Sequence, residues 1–279
     1  MISESQFLNI DKDIIVFHNK DEIPYIAVPH LHSQYEIYYN ISGARGFMLN
    51  GNFFKCTERD MIIIPNVQAH KVIVNKNTEY ERCIINVAPN VFELIEILCR
   101  SQNIFSWITD DSNTAKAVNL SEDEHKEFMS LVFEYNEIKE KDGLSGLKTF
   151  LNIILFLKKV FANPQKKDML DENELSYSDR VMNIIEHNFK TITVSEIADR
   201  IFVNEDYINR LFKEETGQTI VNYLIKRKLA EAKKYIYLGK SVKDACILSG
   251  FRDYSNFLRM FKKYEGYCPS ELDELSEPL

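Results

Sequence analysis

The chain has 279 residues, is 45% hydrophobic and carries 34 Lys and Arg against 42 Asp and Glu, a net charge of −8. A domain usually takes about 100–200 residues, so this length points to two domains, each apolar enough to bury a core. No stretch reaches the roughly 18 apolar residues of a membrane span. The N-terminus, Met1-Ile2-Ser3-Glu4-Ser5, lacks the basic segment of a signal peptide. The five cysteines are widely spaced with no Cys-x-x-Cys pair, which argues against a disulfide framework or a zinc–thiolate site. The chain therefore reads as cytoplasmic, without a membrane partner.

The charge is divided unevenly. Residues 1–176 carry 18 basic against 26 acidic side chains (−8), residues 177–270 carry 16 against 12 (+4), and residues 271–279 add four acids and no base. The phosphate-seeking charge thus lies in the C-terminal half.

Short alternating segments at residues 14–18, 25–28, 35–41, 46–49, 52–55, 61–64, 71–74 and 81–87 predict strands. Asn50-Gly51 predicts a hairpin, because a type I′ turn needs positive φ at both central residues. Strands of this number and spacing suggest a sandwich or small barrel, and a barrel of about eight strands can enclose one small ligand. On them lies His30-x-His32-x-x-x-Glu36, with His70 five residues after Pro65. Even spacing places His30, His32 and Glu36 on one side of a regular strand. This pattern, over about residues 24–71, resembles the first metal motif of the cupin family and a loose form of the second. In cupin enzymes such residues hold iron, manganese or zinc, and the donor set suits such a metal. The reading favoured here is a pocket for a small polar ligand, lined by His30, His32, Glu36, Tyr38, Arg45 and His70, with Arg82 and Trp107 as weaker candidates. No catalytic residue, resident metal or cofactor is expected.

After Pro89 the period becomes helical: residues 91–100 form one helix, while 103–119 carry no clear pattern. Ser121-x-x-Glu124 is a capping box that opens a helix to about residue 141. Asp142-Gly143 breaks it, and a further helix, 144–162, is apolar almost all round. A helix of that kind must bury two faces, so the second is expected to form a homodimer contact. The polar stretch 163–177 reads as a linker.

The C-terminal part is helical throughout. Thr193-x-x-Glu196 caps a short helix at 194–201, Phe202-Val203 turns, and Asn204 caps a helix at 205–215 that Gly217 ends. The pattern returns: Ser241 caps 242–248, Ser249-Gly250-Phe251-Arg252 turns, and Asp253 caps a helix to 263. Arg210-Leu211-Phe212-Lys213 with its closing Gly217 recurs 49 positions later as Arg259-Met260-Phe261-Lys262 with Gly266, one supersecondary unit used twice. Each unit is a helix-turn-helix whose second helix exposes polar side chains, the geometry that reads a major groove. Residues 220–238 between them form a helix of roughly 28 Å at 1.5 Å per residue. Successive major grooves lie about 34 Å apart.

Residues 178–272 resemble the DNA-binding domain of the AraC family of transcription regulators. The resemblance is carried by Ile197-Ala198, Arg210-Leu211-Phe212-Lys213, Glu215-Thr216-Gly217, Tyr223-Leu224, Ala232, Ser249-Gly250-Phe251, Phe257-Leu258-Arg259-Met260-Phe261-Lys262, Gly266 and Pro269-Ser270. Phe202 departs from it, standing where Gly is usual, as does Cys246, standing where Ala is usual. The resemblance implies an α+β multidomain chain in three parts. Residues 1–162 would form a cupin-like β-barrel with a helical dimerisation arm, 163–177 a linker, and 178–279 an all-α double helix-turn-helix domain. It implies a sequence-specific activator acting as a homodimer on double-stranded DNA and RNA polymerase, controlled by a small-molecule effector, a sugar in many members. By resemblance, Asp206, Asn209 and Arg210 face bases from the first reading helix, and Tyr254, Ser255, Leu258 and Arg259 from the second. Arg pairs with guanine, Asn with adenine, and Leu meets a thymine methyl. Lys213, Lys262 and the connector residues Lys226, Arg227, Lys228, Lys233 and Lys234 suit phosphate or solvent. The alternatives are a first half that binds a protein partner, and a metal-binding cupin enzyme fused to a DNA-binding domain.

Overall fold

The computed structural model describes residues 10–22, 30, 32, 34–66, 68–74, 78–109, 116–138 and 142–271. The strand expected at 25–28 lies outside them. After a single helical turn, α1 (Ile10–Asp13), come β1 (Ile14–Asp21), β2 (Tyr35–Ser42), β3 (Ala44–Leu49), β4 (Asn52–Lys55), β5 (Asp60–Ile64), β6 (His70–Val74) and β7 (Tyr80–Val87). An eighth strand, β8 (Lys116–Asn119), falls where the sequence had no clear pattern. The strands form a five-stranded sheet, β1-β7-β2-β5-β8, and a three-stranded sheet, β4-β3-β6.

Alternation explains how the larger sheet is buried on both faces. Ile37, Tyr39, Met61, Ile63, Cys83 and Ile85 point to one face, where they meet helical residues such as Phe128, Val132, Phe150 and Leu157. Their neighbours Tyr38, Ile62 and Ile64 point to the other, against Phe47 and Leu49 of the smaller sheet. A strand buried on both sides reads as a continuous apolar run, which is why Met61–Ile64 does not alternate in polarity.

The helices that cover the first face are α2 (Pro89–Cys99), α3 (Ser106–Thr109), α4 (Glu122–Ile138) and α5 (Gly143–Val160). Ser121 and Glu124 exchange the reciprocal bonds of the expected capping box ahead of α4. Asp142 caps α5, accepting from the Leu144 amide. Within the polar stretch after α5, the Gln165 amide donates to the Ala117 carbonyl (2.7 Å), and Met169 bridges Phe54. Lys167 Nζ reaches the buried Asp60 carboxylate at 2.5 Å. Thr57 and Asn119 also donate to Asp60, so this buried charge is paired and fully hydrogen-bonded.

Contacts divide the chain into two compact units at Met169/Leu170, with His30 and the hairpin tip Asn50–Phe53 grouping with the second. That unit holds α6 (Tyr177–Asn188), α7 (Val194–Ile201), α8 (Glu205–Thr216), α9 (Ile220–Tyr237), α10 (Val242–Leu248) and α11 (Tyr254–Glu265). Ser176, Thr193, Asn204, Thr219, Ser241 and Asp253 each accept a backbone N–H as N-cap. Such a side chain satisfies one amide that the first helical turn leaves without a partner. Among the described residues no helix is long and apolar enough to cross a membrane.

Candidate nucleic-acid interface and ligand site

Each reading helix is anchored from behind. In α8, Ile208 and Phe212 are fully buried, and Phe212 meets Tyr223 of α9 edge-on at 5.6 Å. In α11, Phe257 and Phe261 are fully buried among Leu229, Ala232 and Ile236 of α9. These anchors leave the opposite face outward. Asp206, Arg210 and Lys213 are exposed on α8, with Asn209 half-buried. Tyr254, Ser255, Arg259 and Lys262 are exposed on α11, with Leu258 half-buried. Gly217 and Gly266 close the two helices at φ of 73° and 87°, left-handed conformations that suit glycine.

Two residues absent from the expected set orient the arginines. The Arg210 guanidinium lies 5.7 Å from the Tyr207 ring centroid, and Arg259 Nη2 donates to Asn256 Oδ1 at 2.9 Å. Both partners stand three residues upstream, a spacing that puts side chains side by side on a helix. That spacing was visible in the sequence.

The turn ahead of α8 confirms where Gly was missing. Phe202 takes φ 60° and ψ 44° at the C-cap of α7, with 93% of its surface exposed. A β-carbon in this region costs roughly 1–2 kcal/mol, and the exposed ring recovers little of it by burial.

The connector departs from expectation at three positions. Arg227 does not face solvent: its Nε donates to buried Glu186 at 2.5 Å and its Nη1 to Glu231 at 2.9 Å. Its guanidinium also stacks on Phe189 at 4.1 Å. Lys228 donates to the carbonyls of Lys190 and Gly250, and Lys233 pairs with Glu265 at 2.8 Å. These three hold α9 in the helical unit. Lys226 stays exposed and Lys234 half-exposed.

In the sheet unit the expected pocket residues separate. The histidines are not on a regular strand: His30 sits in an isolated bridge and His32 in coil, and β2 begins only at Tyr35. Even spacing therefore does not bring them together; the path of the chain into β2 does. Inside the unit, His32, Glu36 and His70 bring ligand-type atoms within 4.8 Å of one another. His32 Nε2 lies 3.1 Å and His70 Nε2 3.6 Å from Glu36 Oε2, and the two imidazoles meet edge-on at 5.1 Å. Burial pushes the Glu36 carboxyl up, but the bond from His32 and the adjacent His70 imidazole outweigh it and hold the group well below the usual carboxylate range. Each histidine anchors its other nitrogen: His32 Nδ1 donates to the Gln34 carbonyl (3.0 Å) and His70 Nδ1 to the Gln68 carbonyl (2.9 Å). His30 is exposed. Tyr38 is fully buried, stacked on Phe47, with its hydroxyl 3.1 Å from that of Tyr80; it belongs to the core between the sheets. Arg45 is half-buried on β3. Arg82 pairs with Asp21 at 2.5 Å and lies over the Tyr80 ring at 4.4 Å. Trp107 is half-buried, its carbonyl accepting from Lys116.

Residues 16–117 match the model of the AraC-like ligand-binding domain, and residues 197–274 that of a helix-turn-helix domain. The first half of the chain thus matches an AraC-like domain model and the second half a helix-turn-helix model. The chain resembles the uncharacterised HTH-type regulator YtdP of Bacillus subtilis, 32% identical over 144 residues that cover 50% of this chain and 19% of that protein. It also resembles the transcriptional regulatory protein HptR of Staphylococcus aureus, 30% identical over 34% of this chain and 38% of the relative. The chain thus spans less than half the length of these relatives. A crystal structure of ToxT from Vibrio cholerae is 12% identical over 96% of this chain and 100% of its own, with a TM-score of 0.36. Most of the strands fall within the first match, and α8 to α11 fall within the second.

Proposed function

We propose that this chain is a transcription regulator of the AraC family and a cytoplasmic homodimeric activator. In this reading α8 and α11 enter neighbouring major grooves, and a small polar ligand bound by the sheet unit changes how well they do so. The observation that carries it is the pair of exposed polar faces on helices held from behind by equivalent aromatic anchors, Phe212 and Phe261. Arg210 and Arg259, oriented by Tyr207 and Asn256, read guanine edges, and a good bidentate pair of this kind discriminates by about 1–3 kcal/mol. Asn209, Tyr254, Ser255 and Leu258 complete the base contacts, and Lys213 and Lys262 sit on phosphates. Asp206 can only accept, from cytosine. The 18 residues of α9 span about 27 Å, close to the separation of successive grooves.

Leu144 and Leu155 are 77% and 64% exposed on α5, while the helix's other face is core. That outward stripe is the proposed dimer contact. As an activator the dimer would present a surface to RNA polymerase. Sedimentation of the wild type and of Leu155→Asp tests the dimer: a dimer that the substitution splits supports it, and a wild-type monomer at micromolar concentration refutes it.

His32, Glu36, His70 and Arg45 form the proposed ligand-binding set; His30 groups with the other compact unit. Buried charge and fixed imidazoles favour a ligand rich in hydroxyl or amine donors, as a sugar would be. A second reading rests on one observation. Both histidines spend Nδ1–H on a backbone carbonyl, the outer-shell arrangement that leaves Nε2 as a metal ligand. With Glu36 they would supply two nitrogens and an oxygen to zinc, manganese or iron. Metal analysis of protein purified without chelators separates the readings. Stoichiometric metal lost in His32→Ala favours the second, and protein that stays metal-free when supplied with each ion removes it. The family reading makes the protein a regulator rather than an enzyme.

A further inference from the structure

Between α6 and the C-terminal end of α7, within the helical unit, lies a cavity of about 220 Å³. Arg180, Asn183 and Ile184 line it from α6, at positions i, i+3 and i+4, which share one helix face. Arg200, Ile201 and Phe202 line it from α7 and its cap. The wall is thus apolar, with two guanidinium groups and one amide set into it.

Neither arginine has its charge matched by the chain. Arg180 Nε is shut off from solvent and has no hydrogen-bond partner among the described residues. Its guanidinium lies 5.7 Å from the Tyr177 ring centroid, a contact that gives the buried N–H no acceptor. A charged donor left in that state is costly, and such exceptions in folded chains need an explanation. Arg200 is exposed. The Glu196 carboxylate one turn earlier feels its charge but is bonded to the Thr193 cap. Asp179 is bonded into the Ser176 cap in the same way. Among the described residues no salt bridge reaches either arginine. On the rim, Phe202 keeps its left-handed backbone although its ring is exposed. Strain held where it does nothing for the core points to a use at that place.

We propose that this cavity is an effector site for a short organic dicarboxylate and that its occupancy acts on the first reading helix. One carboxylate meets the Arg180 fork, whose planar geometry suits a bidentate pair, and the other meets Arg200. The methylenes between them lie against Ile184 and Ile201. A dianion balances the two guanidinium charges; the end of α7 opposes it with only about half a negative charge. Inorganic phosphate matches the charge but leaves the apolar wall wet. Val203 alone separates Phe202 from Asn204, the N-cap of α8. An occupant that ties α6 to the end of α7 therefore fixes how the chain enters α8, and it does not touch α11. Residues 177–270 carry a net charge of +4, which a bound dianion halves, so occupancy weakens DNA binding. The inference rests on the reading that α8 faces DNA.

Two readouts on the full chain test it. The first needs no DNA: glutarate, butyrate and inorganic phosphate are titrated at constant ionic strength into protein with isotope-labelled arginine, followed by the side-chain Nε–Hε resonances. Glutarate is expected to shift the Arg180 resonance and to bind up to about fivefold more tightly than butyrate, the worth of one exposed ion pair. Arg200→Ala, at an exposed position, should erase that difference, and Arg180→Met should abolish binding of both. Phosphate binding as tightly as glutarate overturns the dicarboxylate assignment, and the absence of a saturable shift with every probe overturns the site. The second readout is affinity for a duplex selected by the protein, at the same ionic strength. Saturating glutarate is expected to weaken it about fivefold in the wild type and to leave Arg180→Met unchanged. Equal weakening in both proteins is salt competition and refutes the coupling, as does no weakening in the wild type. If glutarate binds but the protein enriches no duplex, the site stands and the reading that α8 faces DNA fails.

Discussion

Replacing Arg227 by Met should destabilise the helical unit more than any change on its outer faces. Glu186 is buried, and it accepts from Arg227 Nε at 2.5 Å and from the Tyr223 hydroxyl at 3.0 Å. Removing the guanidinium leaves that carboxylate with a single neutral donor. Breaking a buried pair from one side costs about 3–5 kcal/mol, because the remaining charge is uncompensated. The reverse change, Glu186→Gln, should cost less. Arg227 keeps Glu231 at 2.9 Å and the face of Phe189, and the amide still accepts from Tyr223. The double variant, Arg227→Met with Glu186→Gln, should recover part of the loss. Its volume is nearly conserved and the buried Glu186 charge is removed, while Glu231, with 15% of its side chain exposed, still loses its partner. Calorimetry of the full chain resolves this as the midpoint of the helical unit's transition. At about 4–8 °C per kcal/mol for a domain near 100 residues, Arg227→Met should lower it by more than about 10 °C. A shift of 2 °C or so, or a larger loss from Glu186→Gln than from Arg227→Met, would refute the reasoning.

Phe202→Gly should stabilise the same unit by about 0.5–1 kcal/mol. Relief of the left-handed strain exceeds the extra entropy of glycine in the unfolded chain, and the 93% exposed ring gives up little burial; a lower thermal midpoint would count against this. Glu36→Gln should destabilise the sheet unit at neutral pH. The folded Glu36 carboxyl is held below its ordinary value of 4.5, so its contribution is complete above about pH 4.5 and declines as pH falls below that. Urea titrations at pH 7 and pH 3.5 should therefore show the gap between wild type and variant narrowing in acid, and a constant gap would contradict the assignment. Lys213→Ala and Lys262→Ala should each reduce the slope of log affinity against log salt by about 1 without changing site preference, if both contact phosphate.

The helical unit was readable because its signals are local. Thr193 with Glu196, Asn204, Ser241 and Asp253 mark helix starts within a few residues of sequence, and each caps as expected. Phe212 and Phe261 follow from helical spacing alone. What the sequence hid was non-local. β8 is a four-residue strand whose partner, β5, lies more than 50 residues earlier, so no turn signal announces the pairing. Lys167 looked like one more solvated linker charge until Asp60, 107 residues away, came beneath it. Arg227 sits in a run of basic residues, where only the position of Glu186 on α6 separates a buried ion pair from a phosphate contact. In the sheet unit the structure brings His32, Glu36 and His70 together, but not by the shared strand face that even spacing implied. Tyr38 was misjudged because it stands one residue from core-facing Ile37 and Tyr39 on a strand whose two faces are both buried.

The most direct test of the account is selection of binding sites from a randomised duplex pool by wild type, Arg210→Ala and Arg259→Ala. The account predicts a site with two conserved blocks about 10–10.5 base pairs apart per protomer. Arg210→Ala should relax preference in one block only and Arg259→Ala in the other, each by about 1–3 kcal/mol at a guanine. Failure to enrich any sequence, or identical preferences in all three proteins, would contradict it.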